Sequence, residues 1–255
     1  MKLRIVYLAL VVALLPGTLP LRANTPYYIS PGEYLWNRIL AAPPAPNTPQ
    51  EKADIAEVLK MQAARKPSDV QRIKSEVKLA PDIFFHVLGP KVTVKTAPRA
   101  YALLMKMEQD IEPITEQTKA VYNRPRPSQE DKKVTPCVSL PDNSAYPSGH
   151  TTLAYAWASA LVQMYPQYQK QLMDRAEQVG RDRVLAGVHH PTDVLAGKQL
   201  GLAVAQQMNA NPRYRSEMLI AEQEAARLLP QPLPKRMKPP IAAMPTTAPA
   251  AATKK

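Results

Sequence analysis

Cysteine, phenylalanine and tryptophan are scarce in this chain of 255 residues: it has one Cys, two Phe and two Trp. A single thiol, Cys137, cannot close an internal disulfide, so stability must come from packing. Nothing near it in sequence would activate it as a nucleophile, and it reads as a loop or core thiol. Two phenylalanines against eleven tyrosines, with Ala, Leu and Val supplying most of the apolar residues, point to helix-rich packing. No segment alternates in the way a strand does, and no internal repeat is visible. Long apolar runs are also missing. The run from Ile5 to Leu15 has 11 residues, well short of the ~20 needed to span a bilayer, and no later segment approaches that length. A mature protein without stable membrane insertion is expected.

The two ends lack acidic residues altogether. The start, Met1-Lys2-Leu3-Arg4, places two cations before that apolar run, and Pro16, Gly17 and a small residue at Ala23 follow, the layout of a signal peptide over residues 1–23. This makes a periplasmic or secreted location the expectation. From Pro230 onward the chain is Pro, Ala, Lys and Thr, too poor in apolar side chains to offset the entropy of ordering, so 230–255 reads as a disordered basic tail. The formal net charge of +12 includes eight cations in these two ends, and +4 remains for residues 24–229. So small an excess gives no support to nucleic-acid binding. Nothing in the sequence excludes a homo-oligomer.

Between the ends the pattern is one helical domain with a Pro- and Tyr-rich arm, Asn24 to Pro46, laid over it. Thr48-Pro49-Gln50-Glu51 is a capping box with proline at the first helical position, followed by Ile55, Val58, Leu59 and Gln62 on one face. Ser68 can cap a second helix with Val70, Ile73 and Val77 as its buried stripe. The apolar stretch Ile83–Leu88 is buried in either conformation and gives His86 a structural role. A long helix runs from Pro98 to Lys119, with a break or kink at Pro113. Asn123–Pro127 cannot remain helical, and 128–145 is a polar loop. Further helices follow Gly149, span about Gln167 to Ala186, and start near Pro191, where Ala196, Gly197, Gly201 and Ala205 allow close approach. The fold class expected is all-α, a helical bundle with its site at helix ends.

The residues able to do chemistry cluster around Ala145–Thr151. Lys119 and Arg126 stand upstream, and Arg183, His189 and Asp193 downstream. Three cations, two histidines and a carboxylate suit a doubly negative tetrahedral oxyanion. Ser148 and Gly149 add a hydroxyl and backbone donors at a helix start, a natural anion seat, and Arg183 adds a planar fork for two oxygens. His189 and Asp193, four apart, form an oriented imidazole whose other nitrogen is free to attack; His150 would protonate a leaving oxygen. Opposite protonation states on two histidines imply activity highest on the acidic side of neutrality. His190 reads as a wall residue. No metal site and no cofactor are expected, because HExxH, paired aspartates and cysteine clusters are absent and three cations would repel a divalent ion.

At these positions the sequence resembles the type 2 phosphatidic acid phosphatase superfamily, whose signature is K-x6-RP, PSGH and SR-x5-H-x3-D. Lys119 with Arg126-Pro127, then Pro147-Ser148-Gly149-His150, then Arg183, His189 and Asp193 match it in order and spacing; Asp182 stands where the family has serine. The signal peptide, the arm and the Ala-Tyr-Pro-Ser-Gly-His-Thr-Thr context look like the bacterial class A non-specific acid phosphatases. The resemblance covers roughly Thr48 to Met208. It implies the all-helical fold shared with vanadium haloperoxidases and small-molecule phosphate esters as substrates. It also implies attack by His189 through a phosphohistidine, with His150 as acid, Asp193 as orienter, and Lys119, Arg126, Ser148, Gly149 and Arg183 on the phosphoryl oxygens. The alternatives weighed against it are a vanadium-dependent haloperoxidase, a lipid or polyprenyl (di)phosphate phosphatase, and a non-enzymatic phosphate-binding module.

Overall fold

The computed structural model of the chain describes residues 25–33 and 36–229, all in helices, turns and loops; the expected signal peptide and basic tail lie outside the described residues. Helix α1, Pro49–Ala64, begins as expected at Thr48, whose hydroxyl accepts the Glu51 N–H at 3.3 Å, although the Glu51 carboxylate reaches back to the Asn47 N–H and not to Thr48. Its buried residues are Asp54 and Val58, so a carboxylate shares the inward face with the expected valine. Helix α2, Pro67–Ser75, starts earlier than a Ser68 cap would place it. Lys66 is its N-cap residue, with Asp69 accepting the Lys66 N–H at 2.9 Å, and Pro67 is already helical. Of its expected stripe only Ile73 is buried, and Val77 is 51 % exposed.

The apolar stretch that sequence left undecided is helix α3, Asp82–Leu88, which buries Phe84, Phe85 and Leu88. His86 faces solvent, so the structural role expected for it is not realised: 3.6-residue periodicity puts it on the side opposite those three. Helix α4, Pro98–Tyr122, is not broken at Pro113, which sits on the exposed side. It ends at Asn123 in the left-handed conformation (φ 44°), a conformation asparagine tolerates better than most residues. The loop expected over 128–145 contains a short helix, α5, Pro127–Glu130.

Helices α6 (Gly149–Met164), α7 (Gln169–Leu185) and α8 (Pro191–Met208) begin close to where caps and prolines place them. A further helix, α9 (Pro212–Leu228), was not expected; Asn211 caps it by accepting the N–H groups of Arg213 and Tyr214 at 2.8 and 3.2 Å. Helix α6 is the centre of the bundle, packed by α4, α7, α8 and α9. Trp157 on it is fully buried, its indole donating to the Leu104 carbonyl at 2.8 Å and its ring meeting Phe84 edge-on. Where α8 crosses α6, a methyl group at Gly201 would overlap the Thr152 carbonyl, so the small residues read from sequence do set the helix approach. The arm lies on this bundle through Tyr28, Ile29, Trp36 and Leu40, and Asp110 of α4 accepts the backbone N–H groups of Tyr27, Tyr28 and Ile29 at 2.8, 2.7 and 3.2 Å. Among the described residues no helix is long and apolar enough to cross a membrane.

Candidate active site

The end of α4, the starts of α6 and α8 and the end of α7 meet at one cleft of about 540 Å³. Lys119, Arg126, Gly149, His150, Arg183 and His189 line it, which brings six of the eight residues singled out from sequence to one wall. Ser148 and Asp193 are fully buried directly behind that wall. The Ser148 N–H donates to the Asp193 carbonyl at 3.0 Å, and the Ser148 hydroxyl accepts from Thr151 at 2.9 Å. The peptide bond before Pro147 is cis. At the start of α6 the N–H groups of Gly149 and His150 have no intrahelical acceptor, as at every helix start.

His189 reaches the cleft from a turn at Gly187, whose φ of 76° suits a residue without Cβ. Its Nε2 lies 3.2 Å from Arg126 Nη1. A guanidinium can only donate, so Nε2 is the acceptor and the ring hydrogen sits on Nδ1. Nδ1 faces Asp193 Oδ2 at 3.4 Å, longer than a good hydrogen bond, and no closer partner is present. Burial, reinforced by the Arg126 and Lys119 charges and only partly opposed by Asp193, pushes His189 down to about 3. A neutral imidazole with its lone pair toward three cations is the result.

His150 lines the same cleft. Its Nε2 is 3.0 Å from the Val77 carbonyl and 3.3 Å from that of Glu76, so it donates there and Nδ1 is left uncommitted. Burial and then the Arg183 charge lower it to about 4. Arg126 is held by neutral acceptors: Val188 O at 2.8 Å, Asn143 O at 3.2 Å and Asn143 Oδ1 at 2.7 Å. Burial followed by the Arg183 charge brings it down to about 10. Arg183 Nε has no hydrogen-bond partner, and burial lowers its pKa as well. Lys119 lies 3.4 Å from Glu116, and burial outweighs that partner. Among the described residues Arg126 and Arg183 therefore face the cleft without a carboxylate partner, and Lys119 has only the exposed Glu116.

Asp182 does not reach the cleft. It turns toward α2 and accepts two hydrogen bonds from Arg72, Nε to Oδ2 and Nη2 to Oδ1, both at 2.8 Å. His190, read as a wall residue, is fully buried away from the cleft and joins Asp193 to Glu130. Arg124, which sequence reasoning did not single out, donates to Asp193 Oδ1 at 2.6 Å and Asp54 Oδ2 at 2.9 Å. The available signal was its place two residues before Arg126, in a segment the prolines forbid from being helical. The outer wall of the cleft also has a feature absent from the sequence reading. Glu108, Glu112 and Glu116, on successive turns of α4, all line it.

The non-specific acid phosphatase of Providencia stuartii is 29 % identical over 57 % of this chain, and the match spans 60 % of that enzyme's length. The lipid A 1-phosphatase of Rhizobium etli is 37 % identical over a shorter stretch, 22 % of this chain and 25 % of that one. A bacterial vanadium-dependent iodoperoxidase shares the fold, with a TM-score of 0.53 at 16 % identity over 69 % of this chain and 53 % of its own. Residues 101–216, from α4 into α9 and carrying all three motifs, match the PAP2 superfamily over just under half of this chain.

Proposed function

We propose that the protein is an exported phosphomonoesterase that hydrolyses small phosphate esters at acidic pH through a phosphohistidine. The observation that carries this reading is the neutral His189, whose Nε2 lone pair faces a cleft holding Arg126, Arg183 and Lys119. A phosphate dianion set among those groups and the N–H groups of Gly149 and His150 would present its phosphorus to Nε2. Attack forms the N–P bond and breaks the P–O bond to the leaving group; His150 Nδ1 gives that oxygen its proton. Water then attacks phosphorus as the N–P bond breaks and its electron pair returns to His189 Nε2, His150 takes a proton from the water, and inorganic phosphate leaves. The Asp193 carboxylate faces Nδ1–H and stabilises the positive charge that grows on the ring during attack.

Bound phosphate offsets the Arg183 and Lys119 charges that depress His150, so the acid is reprotonated when substrate enters. This supports an optimum on the acidic side. No step draws on a metal, and the proposal expects activity to survive chelators. Export rests on the sequence of residues 1–23 alone.

A lipid phosphatase is the second reading, favoured by the lipid A 1-phosphatase relative and by Val77, Leu79, Ile111 and Leu153 at the cleft. An aryl phosphate, a nucleoside monophosphate and a detergent-dispersed lipid phosphate, assayed side by side between pH 4 and 8, distinguish the two. Turnover of the first two at rates above the third is the expected result. Turnover of the lipid alone would favour the second reading, and no turnover of any would remove both.

A further inference from the structure

Behind the cleft, the carboxylate expected to serve His189 is held more tightly by its neighbour. Asp193 Oδ2 lies 2.8 Å from the His190 backbone nitrogen and 2.9 Å from His190 Nδ1, against 3.4 Å from His189 Nδ1. Arg124 takes the other oxygen. The far nitrogen of His190, Nε2, meets Glu130 Oε2 at 2.9 Å. Glu130 ends α5, and Arg126 is the N-cap residue of the same helix. The chain Glu130–His190–Asp193 therefore joins the helix that presents Arg126 to the carboxylate behind the nucleophile.

We infer that His190 is a positioning residue of this active site, which as a doubly protonated ring fixes Asp193 and α5 together and, on losing a proton, releases one of them. The reason is a donor count. Each ring nitrogen faces a carboxylate oxygen, and carboxylates only accept, so both contacts need an N–H. A neutral ring has one. Its other lone pair then points at a carboxylate, and either Asp193 or Glu130 must move away. If Asp193 moves, His189 loses its orienter; if Glu130 moves, α5 and Arg126 loosen. The charged side chains facing the ring are Asp193 of α8, Glu130 of α5 and Arg124 from the turn after α4, the last with Asp54 of α1 on its far side. Burial and Arg124 oppose the charge on His190, and the two carboxylates outweigh them, so its pKa is raised. This inference rests on the phosphatase reading for its effect on rate, but the protonation state itself does not.

Imidazole ¹⁵N–¹H spectra of the intact protein are tractable with four histidines. At pH 7 one buried ring is expected to keep both N–H protons, and its signals should vanish in His190→Phe and persist in His189→Ala. A neutral His190 ring at pH 6 would overturn the inference whether or not any ester is hydrolysed. On the kinetic side, loss of the His190 proton is expected to steepen the alkaline limb of wild-type kcat/KM by about a further tenfold per pH unit beyond the fall that His150 alone gives. In Glu130→Gln that alkaline limb should flatten, because a glutamine amide can donate to the lone pair of a neutral ring. An alkaline limb of unchanged slope and midpoint in Glu130→Gln contradicts the inference; loss of all turnover in the wild type contradicts the phosphatase reading and leaves the spectra to decide this one.

Discussion

Arg124 and Arg183 are both arginines, both about 95 % buried and both close to the cleft that His189 lines, yet their surroundings are opposite. Arg124 is clamped by Asp193 and Asp54 and by the Thr192 hydroxyl at 2.7 Å. Burial works against its charge, the two aspartates more than offset it, and its pKa is raised. Arg183, like Arg126, has no carboxylate partner among the described residues, and burial lowers its pKa. A buried cation with matched anions is part of the scaffold. One without them is held at a cost in stability by the rest of the fold, and that cost is recovered when an anion arrives. The face of the fold toward the cleft and the layer behind it thus differ in how charge is balanced, and that difference marks the site.

The comparison can be broken most directly at the nucleophile. His189→Ala is expected to lower kcat on an aryl phosphate by at least ~10⁴-fold with the circular dichroism spectrum unchanged, since in this account no other group forms the bond to phosphorus. Retained turnover would reassign the attack to another group. Next in size, Arg183→Met should cost about 10²–10³ in kcat/KM, the scale of losing one oxyanion donor, while the ligand-free unfolding midpoint stays level or rises. Arg124→Met should do the reverse to stability: it takes the only ion-pair partner from the buried Asp54 among the described residues and leaves Asp193 to His190, at a cost of about 3–5 kcal/mol in denaturant unfolding. Equal effects of the two arginine substitutions on the free protein would erase the distinction drawn here.

The pH dependence sharpens the same contrast. His150 and His189 have folded pKa values below the ordinary 6.5, so the unfolded chain binds more protons than the folded one as pH falls below 6.5. Stability of the empty protein is therefore expected to drop between pH 6.5 and about 3, and inorganic phosphate should restore part of it. His190 acts with the opposite sign: its raised pKa contributes stability that is full below 6.5 and is lost as pH rises through the folded value. Thermal unfolding from pH 4 to 9, with and without phosphate, measures both. The smallest expected effect is at the outer wall. Burial and the neighbouring Glu112 raise the pKa of Glu108, a sign of crowded carboxylates. Glu112→Gln should raise kcat/KM for a nucleoside triphosphate relative to an aryl phosphate by about two- to fivefold, the range for one partly screened charge.

Much of this was legible in the sequence, for reasons particular residues make plain. Thr48-Pro49, Gly149 and Pro191 announce helix starts through local backbone chemistry, and α1, α6 and α8 begin there. The motif spacings place Lys119, Arg126, Gly149, His150, Arg183 and His189 on one cleft because each stands at a helix end or in the turn beside one. What was not legible is the pairing of buried charge. Asp54, Arg124 and Glu130 look like surface residues until their partners, which lie 60 to 70 positions away, are known. Asp182 belongs with them: its link to Arg72 across 110 positions turns it from the cleft. Helix α9 escaped notice because its cap, Asn211-Pro212, follows the end of α8 so closely that it reads as a terminating turn.

Rapid quenching of the protein during turnover of a ³²P-labelled phosphomonoester, followed by peptide mapping, is the measurement closest to the chemistry. The expected result is an acid-labile, alkali-stable label on His189 that appears faster than product release and is absent from His189→Ala. Steady turnover with the label on another side chain, or with none on the protein at any time point, would contradict attack by His189.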